Sequence, residues 1–210
     1  MHYVHTLLLF LVVSLPIRVA AHPHVFVDTQ LRVQISEDGI LQGVEVQWTY
    51  DDFYSLLLLS DMGLDPDADG RLEENELILL DGFDLQWVDG FEGDTVAMRA
   101  GVPVTLGPPE GRGLKVEDGR ITTTHFRPAT GPVDGLVIKA FDPTFYTAYS
   151  LIGPVDVDEP CVATIEPADL DAAYTMVEEL LYATPAAEAK DDYPKVGEAF
   201  ADTVSLSCAP

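Results

Sequence analysis

Residues 24–35, HVFVDTQLRVQI, alternate strictly between apolar and polar side chains. A period of two is typical of a β-strand with one buried face, and that face is Val25, Val27, Thr29, Leu31, Val33 and Ile35. A Glu-Asp-Gly turn at 37–39 leads into a second apolar segment at 41–48. The stretch therefore predicts a β-hairpin that opens the folded domain.

Short strand-like segments dominate the rest of the chain, and they lie at 85–88, 95–98, 102–106, 114–117, 121–126, 136–141, 161–165 and 203–208. Helical periodicity is confined to 51–62, 74–80 and 168–183. We therefore predict an α+β fold: a β-rich single domain of antiparallel hairpins. An EF-hand-like helix-loop-helix is inserted at 51–80, and a C-terminal amphipathic helix follows at 168–183.

The segment before the first strand has the features of an export signal. Residues 7–15 are apolar but too few to span a bilayer, and the small residues of Val19-Ala20-Ala21 form a cleavage site. We predict a signal peptide at 1–21, cleaved after Ala21, and a mature periplasmic domain at 22–210. No later stretch is apolar enough for a membrane span.

The charge and the cysteines narrow the range of functions. The chain carries 11 Lys+Arg against 36 Asp+Glu, a formal charge of −25, which argues against nucleic acid or anionic lipid as partners and favours cations. Cys161 and Cys208 are the two cysteines. An oxidising compartment favours a disulfide between them, and two free buried thiols are the alternative.

Residues 65–76, DPDADGRLEENE, match the calcium-binding loop of an EF-hand. Asp65, Asp67 and Asp69 supply carboxylates, Arg71 a backbone carbonyl, and Glu76 a bidentate carboxylate at the twelfth position. Gly70 permits the sharp turn at the sixth position. We predict one structural Ca²⁺ site, with a merely acidic loop as the alternative.

Three histidines remain after the predicted cleavage: His22, His24 and His125. The first two flank Pro23, which keeps the backbone extended and removes the amide that an amino-terminal copper or nickel chelate needs. Both imidazoles and the α-amine therefore form a predicted transition-metal site for Zn²⁺, Ni²⁺, Co²⁺ or Cu²⁺. His125 joins it only if the fold brings the 121–126 strand to the terminus. The alternative is that the histidines are incidental.

The aromatic segment 141–149, FDPTFYTAY, begins with an Asp-Pro turn. Its rings are predicted to pack in the core, and a patch for a partner is the alternative.

Taken together, several motifs resemble those of a bacterial family of unknown function. They are the mature start HPHVFVD, the segment GVEVQW at 43–48, the acidic loop, FDPTFY at 141–146 and the late cysteine pair. That family is often described as the periplasmic component of an uncharacterised transport system. Its members occur beside nickel/cobalt-type permeases, and some are linked to zinc acquisition. The resemblance implies metal handling with an inner-membrane metal permease as partner, and it carries over to the His-Pro-His start and the acidic loop.

The leading hypothesis is a periplasmic metal-binding accessory protein of a zinc, nickel or cobalt transport system. The alternative is a calcium-stabilised exported module for structure or interaction, without a transition-metal role. An enzyme is not predicted, because the sequence shows no nucleophile beside a histidine base, no phosphate loop and no His-Glu-x-x-His pattern.

Overall fold

The fold is built from two β-sheets, seen in a computed structural model that describes residues 23–67, 69–183 and 194–208. The first sheet contains β1 (Val25–Ile35), β2 (Ile40–Tyr50), β5 (Glu110–Glu117), β6 (Arg120–Pro132) and β8 (Thr147–Leu151). Its order is β5-β6-β2-β1-β8, and the two-residue strand β9 (Asp156–Val157) also pairs with β1. The predicted signal peptide and His22 lie outside the described residues.

The second sheet contains β3 (Thr95–Arg99), β4 (Val102–Val104), β7 (Leu136–Ala140), β10 (Cys161–Glu166) and β11 (Thr203–Cys208). Its order is β10-β11-β7-β3-β4, and every pair is antiparallel. Cys161 and Cys208 stand directly opposite each other on β10 and β11 and are joined by a disulfide. The predicted pairing of the two cysteines is confirmed.

The inner faces of the two sheets form one hydrophobic core. The opening hairpin contributes the alternating side chains that its sequence predicts, and Val27, Val33, Val44 and Val46 are almost completely buried. Leu136 and Ile138 on β7 meet them from the second sheet together with Leu206 on β11. Each such side chain stabilises the fold by about 1.5–3 kcal/mol relative to an exposed one, so the sandwich of sheets positions everything that follows.

Three α-helices are present among the described residues: α1 (Asp52–Met62), α2 (Glu74–Leu80) and α3 (Leu170–Ala183). Asp51 caps α1, because one carboxylate oxygen accepts a hydrogen bond from the N–H of Tyr54 at 2.8 Å. Its other oxygen accepts from the N–H of Phe26 on β1 at 2.7 Å. One side chain therefore both starts the helix and fixes it to β1.

Some predictions about the elements were wrong. Residues 85–88 form a loop rather than a strand, because Trp87 packs through its side chain and not through a backbone ladder. The Arg127 guanidinium lies 4.5 Å from the centre of the Trp87 ring and donates to the carbonyl oxygens of Leu106 and Glu92. This buried arginine holds the loop against the first sheet.

The C-terminal helix is present, but its predicted apolar face is not buried. Leu170 and Tyr174 are 51% and 55% exposed, and Ala173 is the buried residue of that face among the described side chains. The strands β8 and β9 also depart from the prediction of antiparallel hairpins, because both run parallel to β1. Within the described ranges, no helix combines the length and the apolar character needed to cross a membrane.

Candidate functional site

The acidic loop, residues 65–76, connects α1 to α2. Each of Asp65, Asp67 and Asp69 offers a carboxylate oxygen within 4.8 Å of the others, although Asp67 and Asp69 are exposed. Asp65 accepts hydrogen bonds from the backbone N–H groups of Asp69 and Gly70, both at 3.1 Å. The local backbone therefore turns the chain so that carboxylates two residues apart converge.

Glu76 closes the acidic loop from its far end. Its two carboxylate oxygens accept from the N–H of Asp65 at 3.1 Å and from the N–H of Glu73 at 2.8 Å. The first of these bonds brings the twelfth residue of the loop to the first residue, although Glu76 lies outside the group of three converging aspartates.

The acidic loop rests on the turn between β5 and β6. The carbonyl oxygen of Gly70 accepts from the N–H of Gly119 at 3.2 Å, and a Cβ built on Gly70 would lie 3.1 Å from that same nitrogen. Gly70 also has a φ of +77°, a conformation that favours glycine. The partly buried Leu72 packs against the main core, so the loop is anchored to the first sheet.

His24 lies immediately before β1 and is exposed. Its backbone N–H donates to the carbonyl oxygen of Tyr146 at 2.8 Å, and the two rings lie 4.9 Å apart between centroids. The structure therefore places one of the three predicted imidazoles at an accessible edge of the first sheet.

His125 lies far from that edge. It pairs with Val46, which pairs with Leu31, so it stands two strands across and seven positions along from His24. Standard strand spacings make this separation roughly 25 Å. The fold does not bring His125 to the terminus, and the two histidines do not share an ion.

His125 is instead a buried side chain between two tryptophans. Its ring centroid lies 4.6 Å from that of Trp48 and 5.8 Å from that of Trp87. Neither ring nitrogen has a hydrogen-bond partner among the described residues. Burial, with a smaller contribution from the positive charge of Arg127, lowers the pKa of His125 from 6.5 to about 4.

A cavity of about 890 Å³, the aromatic cavity, opens where the two sheets meet. Trp48 and Tyr50 line it from β2, Tyr149 from β8 and Tyr54 from α1, and Val96 faces it from the second sheet. The volume lies in the range of sites that bind small molecules. This was not predicted, because its walls come from segments more than 100 positions apart.

Two carboxylates in the aromatic cavity accept hydrogen bonds from tyrosine hydroxyls. Asp84 accepts from the hydroxyl of Tyr50 at 3.1 Å, and Asp94 accepts from the hydroxyl of Tyr149 at 2.8 Å. Burial raises the pKa of Asp84, and it raises the pKa of Asp94 from 3.8 to about 7. Sequence analysis missed both residues, because no spacing or motif marks them.

The chain belongs to the family described as a protein of unknown function, DUF1007, whose family model matches residues 7–208. This confirms the resemblance to a family of unknown function. No curated protein matches the chain.

Among solved structures, the chain is similar to acetylcholine-binding protein type 1 of Biomphalaria glabrata. The two chains are 12% identical, the match covers 94% of this chain and 91% of that chain, and the TM-score is 0.35. A likeness at that level supports no argument about fold or function.

Proposed function

We propose that this protein is an exported metal-binding accessory protein with two separate metal sites. The acidic loop holds a structural Ca²⁺ ion in an EF-hand-like arrangement. The mature amino terminus, with His22 and His24, binds Zn²⁺, Ni²⁺, Co²⁺ or Cu²⁺ and exchanges it with an inner-membrane permease. The convergence of three aspartate carboxylates within 4.8 Å is the observation that carries the proposal.

The donor set of the acidic loop fits Ca²⁺. Calcium prefers six to eight oxygen ligands, and Asp65, Asp67, Asp69 and Glu76 contribute carboxylates at the positions used by EF-hands. The backbone carbonyl of Arg71 occupies the seventh position. Because the loop rests on the β5–β6 turn and on the core, a bound ion stabilises the fold rather than opening it.

The accessible position of His24 supports a role for the terminus. Metal ligation needs a neutral, reachable imidazole, and His24 is exposed beside the first residues of β1. The permease enters the proposal through the resemblance to a family found beside such transporters. The bond between Cys161 and Cys208 supports export, since disulfides persist in oxidising compartments. The proposal assigns no catalytic residue.

Calcium binding is tested by calorimetry on chelator-stripped protein. We expect one Ca²⁺ per chain in the wild type and a loss of affinity of at least about tenfold in Glu76→Gln. Glu74→Gln is the matched control, because it removes the same charge from an exposed position two residues away. Equal affinities in the two variants would contradict the calcium site.

Transition-metal binding is tested on protein processed after Ala21, with calcium present to fill the acidic loop. We expect His24→Ala to weaken Zn²⁺, Ni²⁺ or Cu²⁺ binding strongly, and an extra residue before His22 to weaken it if the α-amine is a ligand. Affinity should fall on acidification, because a protonated imidazole does not bind metal. His125→Ala should leave it unchanged. Binding in His24→Ala equal to that of the parent would refute this half of the proposal.

A second candidate is a calcium-stabilised interaction module without a transition-metal role. Exposed apolar side chains on the two helices that flank the acidic loop favour it: Phe53 and Leu56 on α1 are 67% and 62% exposed, and Ile78 and Leu79 on α2 are 69% and 65% exposed. Self-association that requires Ca²⁺, together with no transition-metal binding, would favour this candidate.

A further inference from the structure

Seven aromatic residues contribute to the walls of the aromatic cavity. Trp48 and Tyr149 lie 5.6 Å apart between ring centroids, and Tyr50 and Tyr54 stack at 5.1 Å. Tyr146 and two phenylalanines add to the same lining. Aromatic faces carry a negative quadrupole, so a surface of this kind attracts a cation once water is excluded.

The acids of the aromatic cavity strengthen this preference. Five acidic residues line it against one basic residue, Lys195. Among the described residues, neither Asp84 nor Asp94 forms an ion pair with a lysine or arginine. Both carboxyls are half-buried, and a cation supplied from outside would stabilise their ionised forms, which burial disfavours.

Hydrogen bonds from two tyrosines link the aromatic rings of the cavity to its acids. A phenol that donates to a carboxylate has a more electron-rich ring, and Tyr50 and Tyr149 each donate to one of the two buried acids. The cavity therefore offers negative charge and ring faces to a bound molecule.

From these features we infer that the aromatic cavity is a binding site for an organic cation of the alkylammonium class. The charged group lies against the ring face of Tyr54, with Asp84 and Asp94, in their ionised forms, as counter-charges. A hard metal ion is the poorer fit. Among the described residues, only the three aspartates of the acidic loop form a group close enough to chelate one ion. The inference does not rest on the calcium or histidine sites.

The test uses the processed full chain with calcium present and no transition metal. Tetramethylammonium is titrated in a calorimeter beside neopentyl alcohol, a neutral molecule of similar shape, and the fluorescence of Trp48 and Trp87 together gives a second readout. We expect tetramethylammonium to bind at least about tenfold more tightly than neopentyl alcohol. Equal binding of the two, or no tetramethylammonium binding tighter than about 10 mM, would overturn the inference.

Matched variants separate the ring from the charge. Tyr54 is only partly buried, so Tyr54→Leu leaves the core intact, and we expect it to weaken tetramethylammonium binding about fivefold while Tyr54→Phe retains it. Asp94→Asn should weaken binding about tenfold, whereas Asp61→Asn, which removes a charge from the exposed face of α1, should not. Equal affinities in Tyr54→Leu and Tyr54→Phe would contradict the role of the ring faces.

Lys195 is the cation of the chain itself that lines the aromatic cavity, and it is exposed. Its replacement by methionine removes a competing positive charge, so we expect Lys195→Met to bind tetramethylammonium about twofold to fivefold more tightly. Binding that appears only in Lys195→Met would overturn the inference, because the cavity would then accommodate the lysine rather than a ligand.

Discussion

The acidic loop and the interior of the sandwich hold charged groups in opposite surroundings. In the loop, Asp67 and Asp69 are exposed to water, lie two residues apart in sequence and are arranged by the local backbone. In the interior, Asp94 lies in the turn before β3 and His125 lies on β6, 31 positions later. Burial raises the pKa of Asp94 to about 7 and lowers the pKa of His125 to about 4.

The difference shows which solution condition controls the stability of each region. Exposed carboxylates remain hydrated, so the loop gains stability only when an ion neutralises their mutual repulsion. Burial favours the neutral form of a titratable group, so a change in its protonation changes the free energy of unfolding. The loop should therefore respond to calcium, and the interior should respond to pH.

The largest expected effect is a pair of opposite pH responses in the interior. The pKa of Asp94 rises from 3.8 to about 7 on folding, so this group lowers the free energy of unfolding as the pH rises from about 4 to 7. The pKa of His125 falls from 6.5 to about 4, so this group lowers the free energy of unfolding as the pH falls from 6.5 to about 4. The wild type should therefore be less sensitive to pH than either single variant.

Urea unfolding of calcium-free protein at several pH values measures these two pH responses. Relative to the wild type, Asp94→Asn should lose about 3–4 kcal/mol more on acidification from pH 7 to 4, because the opposing carboxyl is gone. His125→Leu should lose about 3 kcal/mol less, and it sacrifices no hydrogen bond, since neither ring nitrogen has one among the described residues. His24→Ala is the exposed control and should follow the wild type. Parallel curves for all four proteins would contradict the comparison.

Calcium removal should have the next largest effect. At a calcium concentration about 100-fold above the dissociation constant, a site that exists only in the folded state contributes about 2.7 kcal/mol. Chelation should therefore lower the free energy of unfolding of the wild type by about that amount and leave Glu76→Gln almost unchanged. Identical denaturation curves with calcium and with chelator would show that the ion does not contribute to stability.

A smaller effect on the free energy of unfolding is expected at Asp51. This side chain caps α1, the helix that precedes the acidic loop, and accepts a hydrogen bond from β1. Asp51→Ala removes the cap of α1 and the acceptor for the N–H of Phe26, so the free energy of unfolding should fall by about 1–2 kcal/mol. Asp51→Asn keeps an acceptor oxygen and should recover most of the loss. Thermal denaturation of the two variants in parallel checks this, and an equal loss in both would point to charge rather than capping.

The smallest effect is expected at Arg32, whose guanidinium lies 3.6 Å from the carboxylates of both Asp156 and Asp158. All three side chains are at least 42% exposed, so Arg32→Ala should cost only about 0.5 kcal/mol in urea unfolding. A loss as large as that in Asp51→Ala would show that exposed charges in this protein are not individually weak.

The features that the sequence predicts correctly are those determined by the local pattern of residues. The strict alternation at 24–35 determines which face of β1 is buried, and α2 occupies the predicted residues because an acidic start and an apolar run are both local signals. The three aspartates of the loop converge as the spacing predicts, whereas Glu76 is not part of that group. The disulfide could be predicted from the number of cysteines and the predicted compartment alone.

Tertiary context accounts for what was missed. The apolar segment at 85–88 resembles a strand, yet Arg127, about 40 positions later, holds it as a loop. Tyr149 and Asp94 are hydrogen-bonded across 55 positions, so no local spacing reports their contact. His125 was a candidate ligand because histidines are rare in the chain, and only the strand register shows that it lies in the interior.

The parallel pairing of β1 with β8 has a consequence for how the chain acquires its structure. Val25 pairs with Thr147, 122 positions later, so β1 stays unpaired on one side until most of the polypeptide has emerged. Contacts of such long range slow folding. A nascent chain of this topology remains unfolded for longer, and an unfolded chain is the form that a secretory channel transports. Slow closure of the first sheet would favour the translocation before folding that the proposed export requires.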